Sequence, residues 1–259
     1  MDGARKYFFF DIDGTLAGGT YEHRVIPESA REALRLLRER GHFTAIATGR
    51  AHAMAQSFFD ELGFRNMVCD GGNGLVVDGE FLGVDPLDRD ACIKLIDELE
   101  RKRIPWAVSP DDGVVRHAPD ERFAAAVGGT YMRAVVDADM DYRRIERFLK
   151  VYIACRVEDE AGIAELAHIP HARQTATCLF VEPIDKAHGI AEMMDRLRAP
   201  VSQVVVFGDG ENDMMMFDER WFSIAMGNAV PQLKARADYV TSDVEHDGIW
   251  NACRHFGWI

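Results

Sequence analysis

The chain has 259 residues, of which 47% are apolar and 28% charged, which suits one large globular domain or two modest ones. Its net charge of −13, from 30 basic and 43 acidic side chains, argues against nucleic acid or an anionic membrane as a partner. Five scattered cysteines without a Cys-x-x-Cys pair indicate free thiols in a reducing cytosol, not disulfides or a zinc site. The N-terminal apolar run is too short for a signal or membrane segment, so we expect a cytoplasmic protein.

The first strand is predicted at Phe8–Phe10, an apolar run that stops at Asp11 and Asp13. Because side chains alternate along a strand, both carboxylates are expected to point the same way. Two adjacent negative charges are unfavourable unless a cation or a shared proton compensates them. Gly14 then allows a turn, and Thr15 offers a hydroxyl. The pattern favours a chemical site, with an ordinary strand-to-turn exit as the alternative.

The next elements alternate between helix and strand. A short strand over residues 43–47 leads into Thr48-Gly49-Arg50, and a third strand is predicted at 67–69. Such alternation predicts a parallel sheet with right-handed crossovers. Ligands bind outside the carboxyl ends of the strands in these sheets. The paired aspartates and Thr48 all fall at such ends, although a Thr-Gly pair is more often only a turn.

The middle third has a different order of predicted elements, which is helix, hairpin, helix, strand, helix, strand. Its second helix is predicted from Ile145, Phe148 and Leu149, and its third from Ile163 and Leu166. This pattern is typical of an α+β unit inserted into the first fold. The predicted domains are a first core part at 1–83, an inserted domain at 84–184 and a second core part at 185–259.

The parallel pattern resumes after the insertion. Lys186 opens a helix, although a lone lysine at such a position is usually solvated. The apolar strand at 204–207 ends in Gly208-Asp209-Gly210-Glu211-Asn212-Asp213, a second acidic cluster at a strand end. These segments need a joint explanation with the earlier motifs.

In order and placement, these motifs resemble the haloacid dehalogenase-like superfamily of phosphohydrolases over nearly the whole chain. The insertion looks like the cap of the Cof-type (class IIB) branch. One departure is that the branch commonly has Ser-Asn-Gly-Ala after its third strand, where this chain has Gly72-Asn73-Gly74-Leu75. The resemblance implies an α/β fold with a Rossmann-like parallel-sheet core and an inserted α+β cap domain. The segments that carry it are Asp11-Ile12-Asp13-Gly14-Thr15, Thr48-Gly49-Arg50, Lys186 and residues 208–213.

The resemblance also implies a magnesium site, and an all-oxygen donor set fits Mg²⁺ better than zinc. By resemblance, the metal is held by the carboxylates of Asp11 and Asp209 and the backbone carbonyl of Asp13. Asp213 would orient a metal-bound water. Asp11 would attack phosphorus to give an aspartyl-phosphate, while Asp13 would act as general acid and then general base.

The phosphoryl oxygens would be bound by the Thr48 hydroxyl, nearby N–H groups such as that of Gly49, the Asn212 amide and Lys186. Lys186 would offset repulsion between the nucleophile and the phosphate. Arg50 is expected either to hold the phosphate or the cap, or to lie at the surface.

The implied activity is hydrolysis of a small phosphorylated metabolite, with sugar or sugar-alcohol phosphates as the usual expectation for relatives. A phosphomutase shares this chemistry and stays open. Asp13 and Thr15 argue against a dehalogenase. The inserted cap argues against a signalling domain that is phosphorylated on Asp11. Oligomeric state is not predicted. Candidate substrate contacts in the cap are Tyr131, Arg133, Arg173 and Thr177.

Overall fold

The structure is a computed structural model that describes residues 4–19, 23–127 and 133–259. Tyr131, one of the candidate substrate contacts, lies outside these residues. The chain divides into two compact units. The core unit comprises the described residues of Met1–Arg50, Ala55–Gly83 and Asp185–Ile259, and the inserted unit comprises those of Ala51–Met54 and Val84–Ile184.

The described residues form short strands and seven α-helices. The strands are β1 (Tyr7–Phe10), β2 (Gly18–Gly19), β3 (Arg24–Val25), β4 (Phe43–Ala47), β5 (Met67–Cys69), β6 (Gly74–Val77), β7 (Glu80–Val84), β8 (Trp106–Ser109), β9 (Val115–Ala118), β10 (Arg133–Val136), β11 (Lys150–Ala154), β12 (His171–Thr175), β13 (Cys178–Val181), β14 (Val204–Gly208), β15 (Phe222–Ala225) and β16 (Tyr239–Val240). The helices are α1 (Glu28–Glu39), α2 (His52–Glu61), α3 (Arg89–Lys102), α4 (Arg122–Val127), α5 (Lys186–Arg196), α6 (Pro231–Arg236) and α7 (Gly248–His255).

The core sheet has the strand order β16-β15-β14-β1-β4-β5-β6-β7. The run from β16 to β5 is parallel, and β6 joins β5 in the antiparallel sense. β1 lies between β14 and β4, so that Phe10 is in register with Phe207 and Ile46. The predicted parallel-sheet core is therefore confirmed. Because the strands run the same way, the segments that follow β1, β4 and β14 leave the same edge of the sheet.

The central strand is buried on both faces. Phe8 and Phe10 pack in the cluster that includes α1 and α7, whereas Phe9 packs on the opposite side with residues of α5. Full burial of a phenylalanine side chain contributes about 1.5–3 kcal/mol relative to exposure. These three side chains fix the position of β1, and with it the point at which Asp11 begins the following loop.

The inserted unit has a sheet in the order β10-β9-β8-β11-β13-β12. Pairing is antiparallel except between β9 and β10. Leu95, Ile96 and Leu99 of α3 pack in one cluster with Val108 and Val151 of the sheet. The predicted α+β character of this unit is thus present.

Two of its predicted helices were wrong. Residues 145–149 are irregular because their backbone groups bond elsewhere: the Phe148 carbonyl accepts from Leu87 N–H at 2.8 Å, and Leu149 N–H donates to the Ser109 carbonyl at 2.9 Å. Of the apolar side chains that suggested a helix, Phe148 is buried in the core of the unit and Ile145 packs against that core. Leu166 lies in a short 3₁₀ turn, and Ile163 lies between two such turns. Strands β10 and β12 were not predicted.

Within the described ranges, no helix is long and apolar enough to span a membrane. The five cysteines, at positions 69, 92, 155, 178 and 253, are buried free thiols. Burial raises the pKa of Cys253 to about 12. Thiols of this kind are poor nucleophiles and metal ligands at neutral pH.

Candidate active site

The loop after β1 makes a tight turn at the sheet edge. Asp11 N–H still donates to the Phe207 carbonyl at 3.0 Å, which continues the pairing with β14. Gly14 has φ = +85°, and a Cβ there would lie 2.0 Å from Asp209 Oδ2. Only glycine therefore allows this turn to approach the acidic segment after β14 so closely.

Lys186 is at the centre of the buried charges. It begins α5, and its side chain is 1% exposed. Its Nζ donates to Asp11 Oδ1 and to Asp213 Oδ1, both at 2.6 Å. Burial by itself lowers the pKa of Lys186, but the two carboxylates outweigh that effect and raise it. This lysine is therefore a fixed, charged ammonium and not a solvated helix-start residue.

The glycine-rich loop after β5 supports the position of Lys186. Asp185 N–H donates to the Gly71 carbonyl at 2.9 Å. Gly72 has φ = +120°, and a Cβ there would lie 2.1 Å from the Asp185 carbonyl oxygen. The Gly72-Asn73-Gly74 segment, which departs from the pattern common in its branch, thus packs directly against the start of α5.

Three carboxylates converge beside this lysine. Asp11, Asp209 and Asp213 each offer an oxygen, and these atoms lie within 4.8 Å of one another. Asp213 Oδ2 accepts from the N–H groups of Asp209 and Gly210, both at 2.9 Å. Thr15 Oγ1 donates to Asp209 Oδ1 at 3.1 Å. Asp11 of the first acidic segment is therefore brought together with Asp209 and Asp213 of the second.

The cluster has an excess of negative charge. Burial raises the pKa of Asp11 to about 7; the charge of Asp213 adds to this rise and Lys186 opposes it. Burial and the Asp213 charge likewise raise the pKa of Asp209 to about 7. A cation among these oxygens would relieve the repulsion, and hard oxygen donors suit Mg²⁺ or a similar divalent ion. The residues present thus fit a divalent metal.

Asp13 is bound differently from Asp11. β1 ends at Phe10, so Asp13 lies beyond the strand, and its side chain has different partners from that of Asp11. The Asp13 oxygens accept from Arg50 Nε at 2.8 Å and Nη2 at 2.9 Å, and Arg24 also forms an ion pair with Oδ1. The guanidinium of Arg50 therefore lies on a site carboxylate and not at the surface.

The remaining predicted residues have distinct positions. Thr48 is buried at the end of β4, and its Oγ1 accepts from Arg50 N–H at 3.1 Å across Gly49. Its own N–H donates to the Val68 carbonyl at 2.9 Å, which holds it in the sheet. Asn212 lies in the single 3₁₀ turn Glu211–Asp213 and is exposed. It is therefore not part of the buried cluster.

Asn228 is a site residue that our sequence analysis missed. Its Nδ2 donates to the Gly14 carbonyl at 2.8 Å and lies 3.3 Å from Asp209 Oδ2, while its Oδ1 accepts from Val244 N–H at 2.8 Å. It thereby ties the loop after β1 to Asp209. The signal was available, because Asn228 closely follows β15, another strand that ends at the same sheet edge.

Comparison with known proteins identifies the class. The sequence profile described as haloacid dehalogenase-like hydrolase matches residues 8–253, and the chain belongs to that family. It is 29% identical over 257 residues to YkrA of Bacillus subtilis (strain 168), whose name as a phosphatase is provisional; the match covers 98% of each chain.

Solved structures agree with this assignment. A hypothetical protein of Geobacillus kaustophilus HTA426 has a TM-score of 0.83 and 30% identity, covering 99% of this chain and 100% of that one. The subclass IIB sugar phosphatase BT4131 has a TM-score of 0.80 and 25% identity, covering 98% of this chain and 100% of that one. The chain is thus a phosphatase of the Cof-type branch, an enzyme family that generally uses a divalent metal.

Proposed function

We propose that this phosphatase hydrolyses small phosphate monoesters with Mg²⁺ and an aspartyl-phosphate intermediate on Asp11. The observation that carries the proposal is the buried contact of Lys186 with Asp11, beside Asp209 and Asp213. A buried carboxylate at the end of a central strand, with an ammonium 2.6 Å from one oxygen, is well placed for nucleophilic attack on a bound phosphate.

The metal would be held by the Asp11 and Asp209 carboxylates and by the backbone carbonyl of Asp13. Asp213 is less suited to direct ligation, because its oxygens already accept from Lys186 and from two backbone N–H groups. It would instead orient a metal-bound water and the lysine. When bound, the metal would neutralise charge on the phosphoryl oxygens.

The first chemical step would form a bond between an Asp11 oxygen and phosphorus and break the bond from phosphorus to the ester oxygen. Asp13 would give that oxygen its proton, and the alcohol would leave. In the second step a water oxygen would attack phosphorus while Asp13 takes the water proton. Breaking the bond to Asp11 then releases inorganic phosphate and restores both carboxyl groups.

The phosphoryl oxygens would be bound by the Thr48 hydroxyl, the Gly49 N–H and Lys186. Lys186 is rigidly held, so its charge is available without reorganisation when negative charge develops. Arg50 would also contribute, given that its guanidinium already lies at Asp13. Asn212 would have to turn inward from its exposed position to take part.

The substrate class is proposed from the relatives. A solved relative is a sugar phosphatase, and sugar or sugar-alcohol phosphates are the substrates we propose here. The inserted unit would select among them. Within it, Arg173 donates to Glu160 at 2.6 Å and to the Cys155 carbonyl at 2.9 Å, so it has a structural role. Exposed Arg133 on β10 is the better candidate, and Thr177 remains a proposal.

A panel of phosphomonoesters tests this function. Phosphate release should be measured with Mg²⁺, with excess EDTA, and after Mg²⁺ is restored. Release that needs Mg²⁺ and is greatest for sugar or polyol phosphates is the expected result. Full release in EDTA would contradict the metal site. Isomerisation of a hexose phosphate that depends on added hexose bisphosphate would identify a mutase instead.

A further inference from the structure

A cavity in the core unit lies at the edge of the sheet opposite to the candidate active site. Its volume is about 380 Å³, within the range of about 300–1,000 Å³ that is usual for small-molecule sites. Residues that precede β1, β4 and β5 line it, among them Arg5, His42 and Asn66. Asp11 and Thr48 instead follow the ends of β1 and β4. Because β4 has five residues, the two edges are on the order of 15 Å apart.

The cavity has an excess of positive charge, although the chain as a whole has a net charge of −13. Among the described residues that line it, Arg5, Arg38 and Arg65 are cations and Asp78 is the one carboxylate. Three positive charges and one negative charge sum to +2. Asp78 Oδ1 already accepts from Arg65 Nε at 2.8 Å, so the excess belongs to Arg5 and Arg38. A positive cavity in an acidic protein favours an anion as its ligand.

Arg38 is held in the wall of this cavity by neutral groups. Its Nε donates to Thr44 Oγ1 at 2.9 Å, and its Nη1 donates to the Leu62 carbonyl at 2.8 Å. The guanidinium carbon lies 4.8 Å from the centre of the Phe64 ring. Nη2 is buried and has no hydrogen-bond acceptor in the part of the chain that the structure describes. An anion in the cavity would supply an acceptor and the opposite charge.

His42 adds a neutral donor to the same cavity. Lys6 N–H donates to His42 Nδ1 at 3.1 Å, so the neutral ring carries its proton on Nε2. Burial lowers the pKa of His42, and the charges of Arg40, Lys6 and Arg5 lower it further. The ring is therefore neutral at pH 7, in surroundings that disfavour a further positive charge and favour a negative one.

We propose that this cavity binds a small phosphate-bearing anion at a site separate from the catalytic one. A phosphoryl group has three acceptor oxygens and up to two negative charges, which match the donors of Arg5, Arg38 and His42 and the charge of +2. A carboxylate has only two oxygens and one charge. Phe43 and Leu197 also line the cavity and would contact the apolar part of such a molecule. The inference does not depend on the proposed function, since none of these residues belongs to the catalytic cluster.

The test measures inorganic phosphate binding by calorimetry in excess EDTA, so that no metal attracts phosphate to the catalytic carboxylates. Arg38→Met should weaken binding roughly 10- to 100-fold through the loss of a charged hydrogen bond, and Arg38→Lys should recover part of it. Arg5→Met should weaken it roughly 3- to 5-fold, because an exposed charge is screened. The matched control is Arg35→Met on α1, which removes the same charge from exposed pairs with Glu32 and Glu39 and should match wild type.

The ring signals of His42 in NMR spectra locate the bound phosphate. They should shift during the titration in wild type and in Arg35→Met, and much less in Arg38→Met. Circular dichroism and thermal melting check folding, and if Arg38→Met is unfolded, Arg5→Met decides the question. Phosphate affinity of the deciding variant within twofold of wild type would overturn the inference. Phosphate that binds without moving the His42 signals, acetate that binds as tightly as phosphate, or a wild type that binds no phosphate would overturn it too.

Discussion

The pKa values of buried carboxylates are shifted in opposite directions in the two units. In the core unit, Asp11 and Asp209 have pKa values raised to about 7, since burial and neighbouring carboxylates outweigh Lys186. In the inserted unit, Glu98 is 3% exposed, and burial again raises its pKa. There, however, hydrogen bonds from Lys102 and from two backbone N–H groups outweigh burial and bring the pKa to about 2.

The difference separates a structural charge from a functional one. Glu98 accepts from the N–H groups of Ala164 at 2.9 Å and Glu165 at 2.8 Å, so it fixes the 3₁₀ turn Ala164–His168, which is distant in sequence, to helix α3. Its donors come from the protein itself. The buried carboxylates of the core site carry more negative charge than their hydrogen-bond donors balance, and a bound cation would neutralise the excess. The predictions below test that contrast.

The largest effect is expected from Asp11→Asn. An amide cannot form the phosphoenzyme, so turnover should fall by roughly 10⁴-fold or more for every phosphate ester. Asp195→Asn, an exposed change on α5, is the matched control and should keep wild-type activity. Phosphate release from an alkyl and an aryl ester measures the effect. Residual turnover above a few per cent would assign the nucleophile to another group.

Asp13→Asn should have an effect that depends on the leaving group. An alkoxide needs a proton to depart, whereas nitrophenolate hardly does. General acid catalysis is worth about 10²–10⁴-fold, so pre-steady-state alcohol release should slow by roughly that factor more for an alkyl phosphate than for p-nitrophenyl phosphate. A p-nitrophenol burst with slow turnover would show that hydrolysis of the phosphoenzyme also needs Asp13. Equal slowing for both esters would give Asp13 a positioning role only.

The metal site should be detectable as a pH-dependent effect of Mg²⁺ on thermal stability. A carboxyl whose pKa is raised on folding stabilises the metal-free fold most below its unfolded value of about 3.9, and this stability is lost as pH rises through 7. Mg²⁺ competes with those protons and binds only the ionised groups. The increase in Tm on adding Mg²⁺ should therefore be larger at pH 8 than at pH 5. An increase that is equal at both pH values would place the ion elsewhere.

The sequence predicts a site residue when the strand directly before it fixes its position. It does not predict one that is placed by contacts with elements distant in sequence. Asp11, Thr48 and Asp209 directly follow apolar strands, and a parallel sheet brings such ends to one edge whatever the loops do. Asp13 lies beyond the end of β1, where loop geometry replaces strand alternation, so its partners could not be read from spacing. Arg24 reaches Asp13 from a separate hairpin, a tertiary contact that leaves no local pattern.

The same limit applies to predicting the secondary structure of the inserted unit from its sequence. Phe148 and Leu149 have helix-like spacing, but their backbone hydrogen bonds go to residues 87 and 109, which no local periodicity encodes. Tertiary pairing outweighs local propensity in such short segments. The hairpin with Asp78-Gly79 at its turn was predictable, because positive φ at both residues is a local requirement.

The smallest expected effect is that of Glu98→Gln, which should change stability and leave chemistry intact. The neutral amide keeps the shape but loses the charged acceptor for Lys102 and for the two N–H groups, which should cost about 1–2 kcal/mol of unfolding free energy at pH 7. Because the folded pKa of Glu98 lies below the unfolded value of about 4.3, its contribution is present above that pH and is lost as pH falls towards 2. Urea unfolding of wild type and Glu98→Gln should therefore differ at pH 7 and converge as the pH is lowered below 4. Turnover of p-nitrophenyl phosphate should stay within twofold of wild type, in contrast to Asp11→Asn. A stable Glu98→Gln with impaired turnover would show that this carboxylate serves the reaction, and the contrast between the two units would fail.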